Sequence, residues 1–81
     1  MSVTLEEAKA IALEHARRHL AVDVDLAVVE SHVSDLGQAW RIPYNSRVFL
    51  ETKSVSHALA GNLPVLVDKN SGKPEFEGPR A

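Results

Sequence analysis

Residues Ala58 to Gly72 read Ala-Leu-Ala-Gly-Asn-Leu-Pro-Val-Leu-Val-Asp-Lys-Asn-Ser-Gly. Gly61-Asn62 ends one element and Pro64 rigidifies the entry to the next. Val65-Leu66-Val67 is a short apolar, β-branched run, and Lys69-Asn70-Ser71-Gly72 turns the chain back. The spacing predicts a closing hairpin, with strands at Pro64 to Asp68 and Lys73 to Glu77. Nothing in this stretch carries catalytic chemistry.

Upstream, Thr4-Leu-Glu-Glu is a capping box that opens a helix running from about Thr4 to Leu20. Leu5, Ala8, Ile11, Ala12, Ala16 and Leu20 recur at spacings of three and four, so one face packs and the other is wet. Glu6 and Glu7 at the helix start, and Arg17 and Arg18 at its end, complement the helix dipole. After a link at Ala21 to Asp25, Leu26 to Val33 reads as a strand, and Ser34-Asp35-Leu36-Gly37 as a hairpin turn. Gln38 to Tyr44 alternates, placing Trp40, Ile42 and Tyr44 on one face and Ala39, Arg41 and Pro43 on the other. Pro43 marks an edge or the end of that strand. Arg47 to Glu51 is read as a further strand, and Val55 to Ala60 as a short helical turn. The resulting class is α+β: two layers, with an N-terminal helix across an antiparallel sheet of about four to five strands. The expected core comprises Leu5, Ile11, Leu20, Trp40, Ile42 and Val67.

One helix covers one face of such a sheet. Val48-Phe49-Leu50 and Val65-Leu66-Val67 are apolar on both sides of the pleat, so the uncovered face needs a partner, a second copy, or the segment from Lys53 to Ala60 as a lid. Phe49 and Leu66 are therefore candidate partner-binding residues, and a homodimer through this face is one of the expected arrangements. Glu51 and Asp68 close strands in this reading. They are candidate contacts of the kind by which small inhibitors meet a basic enzyme surface.

Composition narrows the functional classes. The 81 residues fit a single domain spanning 1–81, with 44% hydrophobic and 25% charged residues, no internal repeat and no linker. A chain of this size buries only roughly 60 to 65% of its unfolded surface, which leaves little room for an enclosed active site. Eleven acidic residues against nine basic ones, net charge −2, argue against nucleic-acid binding. The absence of cysteine removes disulfides, thiol chemistry and cysteine-based zinc sites. The start lacks the pattern of a signal peptide, and no apolar run approaches the ~20 residues of a membrane span, so the expected location is the cytoplasm and no membrane partner is expected.

Few residues suggest chemistry. His15 and His19 stand one helical turn apart, as paired zinc ligands do, but Arg17 and Arg18 lie between and beside them and repel a cation, so no metal site is assigned. His57 near Ser54 and Ser56, with acids at Asp35, Glu51 and Asp68, allows a Ser-His-Asp set only on paper, because no strained nucleophile turn is present. Glycines at 61, 72 and 78 are too dispersed for a phosphate loop. No catalytic residue and no cofactor are assigned. Trp40 and Tyr44 fit the core better than an interface anchor.

The elements Trp40 to Tyr44, Asn45-Ser46-Arg47, Phe49-Leu50-Glu51-Thr52, Ala58 to Pro64, and Val65 to Lys69 with Ser71-Gly72 resemble the signature of the YrhB-domain, or immunity protein 35, family. The likeness runs from about Leu5 to Gly78 and is concentrated from Trp40 onward. Lys53 departs from it, standing where the pattern prefers Gly, and the chain stops at Ala81, where members often continue. The resemblance implies a non-enzymatic bacterial protein that binds and neutralises a cognate protein toxin by occluding its surface. The alternative it implies is a small chaperone-like protein that binds exposed apolar segments of clients. It transfers no catalytic residues.

Overall fold

The computed structural model describes residues 2–20, 25–53 and 63–77. The expected turn at Val55 to Ala60, the Gly61-Asn62 step, and His57, Ser54 and Ser56 lie outside the described residues.

The first helix, α1 (Leu5–Leu20), begins with the capping box read from sequence. The Thr4 N–H donates to Glu7 Oε1 at 2.8 Å, and the Glu7 N–H donates to Thr4 Oγ1 at 3.2 Å. Its buried stripe is Ala8, Ala12 and Ala16, each with no solvent exposure. Leu5, Ile11, Leu13 and Leu20 flank that stripe half-buried. This corrects the expected core: the centre line of the helix carries methyl groups, and Leu5, Ile11, Leu20 and Trp40 pack around its margin. Small side chains at every fourth position let the helix backbone approach the sheet closely, which moves the larger residues to the flanks. Ile42 and Val67 are fully buried, as expected, together with Leu26, Tyr44 and Val65.

The strands form two antiparallel sheets rather than one meander. Strands β1 (Leu26–Val28) and β4 (Tyr44–Ser46) make a two-stranded sheet. Strands β2 (Ser34–Asp35), β3 (Ala39–Ile42), β5 (Val65–Asp68) and β6 (Pro74–Phe76) make a four-stranded one in the order β2-β3-β5-β6. The strand expected over Leu26 to Val33 is interrupted by a 3-10 turn at Glu30–His32. Polar residues fill that turn, and Glu30 leaves the ladder to meet Lys9 of α1 at 2.6 Å. Opposite it, Pro43 ends β3, and its carbonyl accepts the Val29 N–H at 2.9 Å. β1–β2 and β3–β4 are thus the two arms of one hairpin whose pairing slips by three residues, the length of the turn, between Val28↔Tyr44 and Ser34↔Arg41.

Arg47 to Glu51 is not a strand. It lies in a short helix, α2 (Arg47–Thr52). Ser46 caps it, with its buried hydroxyl accepting the Phe49 N–H at 3.0 Å, and this cap signal competes successfully with the β-branched and aromatic run that follows. Lys53 ends the helix in the left-handed region, at φ 62°, with its N–H donating to the Phe49 carbonyl at 2.7 Å. The closing hairpin is found where it was expected. Asp68 Oδ1 accepts the N–H groups of Asn70 and Ser71, both at 2.8 Å, and Gly72 takes φ 75°.

Two substitutions test this architecture by denaturant unfolding. Ile42→Ala removes a fully buried side chain between helix and sheet and is expected to cost about 2–5 kcal/mol. Lys53→Gly relieves the left-handed conformation and is expected to stabilise by about 0.5–1 kcal/mol, after the entropy glycine adds to the unfolded chain. A destabilised glycine variant contradicts the left-handed cap.

Candidate partner-binding surface

Burial on β5 alternates: Val65 and Val67 face α1, and Leu66 and Asp68 face away. Cross-strand partners share a face, so Ser34, Arg41, Leu66 and Glu75 form one row across all four strands of the larger sheet. Asp68 and Ala39 make the adjacent row. A shallow depression of about 220 Å³ lies between Ala39, Leu66, Asp68, Ser71, Lys73 and Glu75. Arg41 donates from Nε to Glu77 Oε1 at 2.8 Å on this side of the sheet. The outward face is a half-buried leucine within a mosaic of both charges.

The sequence-derived contacts fall on two patches. Leu66 and Asp68 share the outward sheet face. Phe49, half-buried, and Glu51, exposed, belong to α2, which packs on β4 and β1 of the smaller sheet. Val48 on α2 is 42% exposed and adds an apolar group there. The sequence reads Phe49 as a strand residue, and its helical placement sets it apart from the row that holds Leu66. Arg41, Glu75 and Glu77 were not singled out as contacts, although the alternation from Ala39 to Tyr44 already placed Arg41 opposite Trp40 and Ile42.

Electrostatics divides the acidic groups. The amides of Ser71 and Asn70 hold the Asp68 carboxyl below the usual carboxylate range, so it stays ionised while its Oδ1 fixes the turn. Asp35 is also held below that range, first by Lys69 Nζ and then by the Gly37 N–H. Its task is structural. Lys69 contacts Asp35 at 2.5 Å and lies 4.3 Å from the centre of the Trp40 ring, whose Nε1–H donates to the Val3 carbonyl at 3.1 Å. Trp40 is thereby tied into the body of the protein, and Tyr44 is buried.

The rings of His15 and His19 lie 4.2 Å apart, and that of His15 packs 4.7 Å from Phe76. Burial, then the charges of His19 and Arg18, lower the pKa of His15 below its ordinary 6.5. Among the described residues, no group of three or more His, Cys, Asp or Glu side chains gathers as metal ligands do. No described helix is long and apolar enough to cross a membrane.

A family model described as Immunity protein 35 matches residues 6–81. The chain is 40% identical over 55 residues to the protein named "Uncharacterized protein YrhB" of Escherichia coli strain K12, a match covering 68% of this chain and 58% of that one. The match therefore spans less than two thirds of that relative. No solved structure matches the chain.

The histidine stack sets a pH dependence. A histidine with a lowered folded pKa stays neutral in the native state while the unfolded chain takes up a proton, so stability is full above pH ~6.5 and falls as pH drops through that value toward the folded pKa. His15→Leu is expected to flatten the slope of stability against pH between about 7 and 5. Equal slopes in wild type and variant contradict this assignment.

Proposed function

The chain belongs to the immunity protein 35 family, and on that premise we propose that it acts as a single-domain, non-catalytic immunity protein that neutralises a cognate bacterial toxin in the cytoplasm by covering its surface. The family match over residues 6–81 is the observation that carries this reading. The open sheet face supports it. A broad, gently concave surface with one aliphatic centre at Leu66 and flanking charges at Arg41, Asp68 and Glu75 suits a protein interface better than a small substrate. Charge on both sides of Leu66 favours a specific partner over capture of arbitrary apolar segments. That weighs against the chaperone-like alternative and against a homodimer through this face.

The α2 patch, with Phe49 and Glu51, is the second contact in this proposal. Leu66 lies centrally and is assigned the larger share of the binding energy, as central apolar groups usually carry. Asp68 contributes a carboxylate that its turn has already oriented, so little ordering is needed on binding.

Titration of purified chain against its cognate toxin is expected to give protection that saturates at a fixed molar ratio. Leu66→Glu should weaken binding by about a hundredfold. Asp68→Asn should weaken it by about tenfold while the turn persists, because the amide oxygen still accepts the Asn70 and Ser71 N–H groups. Phe49→Ala and Glu51→Lys test the α2 patch in the same assay. Protection by a small fraction of an equivalent would mean turnover, and the occlusion reading would fall.

A further inference from the structure

A second surface meets the depression around Leu66 only at Ser71, which lines both. A groove follows α1 where the helix meets the β5–β6 hairpin, in two contiguous parts of about 520 and 510 Å³ that share Ala10 and Ile11 as floor. His15, Arg18, His19 and Pro74 surround one end. Val3, Glu7 and Gly72 surround the other. The helical wall, from Glu7 through Ile11 and Glu14 to Arg18, is a stripe at spacings of three and four that extends for about 16 Å. The opposite wall is kept low by small residues. A Cβ at position 72 would stand in ordinary contact with Val3 at 3.4 Å and Ile11 at 3.7 Å, so it is the positive φ that calls for glycine there.

Charge along the groove has a direction. Glu6 and Glu7 stand at the start of α1, whereas Arg17 and Arg18 share a single carboxylate, Glu14, at 3.7 and 3.0 Å. That leaves a cation in excess at the far end, and Arg18 is 75% exposed there. A helix laid antiparallel to α1 meets this pattern. Acidic residues in its first turn face Arg18, basic residues in its last turn face Glu7, and the two helix dipoles oppose. About three turns of an amphipathic helix fill the length, with apolar side chains at every third and fourth position over Ile11.

We propose that this groove receives an amphipathic helix of a partner protein, antiparallel to α1 and acidic in its first turn. It is a docking site distinct from the sheet face around Leu66, and neither requires the other.

The probe is a capped peptide of about twelve residues with leucines at every third and fourth position, glutamates in the first turn and lysines in the last, beside a companion of identical composition with the two charged turns exchanged. Binding to the full chain is followed by NMR up to about 1 mM peptide. The first peptide is expected to shift the Ile11 methyl and the His15 and His19 ring signals, and to bind about three- to tenfold more tightly than its companion. Arg18→Glu should abolish that preference while lowering the melting temperature by only a few degrees, the cost of the lost Glu14 pair at the helix end, and Leu66→Glu should leave the preference intact. Absence of binding by either peptide, equal affinities, or shifts centred on Leu66 would overturn the proposal.

Discussion

The dry contact between the methyl groups of Ala8, Ala12 and Ala16 and the inner face of the sheet, made by Ile42, Val65 and Val67, is the constraint on which the remaining structure depends. A domain this small has one core, and its stability is a small difference between large terms. An alanine stripe gives little apolar area per residue. It compensates by bringing backbone close to backbone, so that Leu5, Ile11, Leu13, Trp40 and Phe76 seal the margins. Those margins are also tied by polar contacts. Val3 is held through its N–H to the Lys69 carbonyl at 2.6 Å and through its own carbonyl to Trp40, and Lys9 joins α1 to the 3-10 turn. Once the helix is seated in this way, the other face of the sheet, with Arg41, Leu66 and Glu75, points away from it.

Where local signals and burial agreed, the sequence could be read directly. The Thr4 capping box, the helix it starts and the Asp68 to Gly72 turn rest on interactions within a few residues, and the structure shows each of them, while the register with β5 sets Trp40 and Ile42 on the face opposite Arg41. Reading failed where two local tendencies competed. Val48-Phe49-Leu50 has the composition of a strand, but the Ser46 hydroxyl and the left-handed Lys53 bracket it as a helical turn. The departure at Lys53 held the missing clue. A position that prefers glycine is often one with positive φ, and here that conformation ends a helix. The split of Leu26 to Val33 was hidden for a different reason, because the contact that favours the turn, from Glu30 to Lys9, joins residues far apart in sequence.

The candidate site was legible in part. Leu66 could be placed on the uncovered face because β5 is short, regular and bounded by turn residues, whereas Asp68 reads from sequence only as the residue that closes the strand. Glu51 and Phe49 were assigned to the same sheet through a strand that does not exist, so their grouping with Leu66 did not survive folding. Asp68 shows how one carboxylate serves two ends. The amides that depress its pKa also fix its direction, so the group that shapes the hairpin is held charged and oriented at the end of β5.

The margins of the four-stranded sheet complete the picture. Its outer strands are β2, with only two residues, and β6, which begins at Pro74 opposite Val67 in a register that turns the missing N–H toward the open side. An exposed sheet invites lateral growth, strand upon strand, into aggregates. A two-residue rim on one side and a proline on the other offer poor templates for that growth. The described sheet can therefore keep a broad face while its rims resist polymerisation, which separates the surface of the sheet from the edges along which sheets self-assemble.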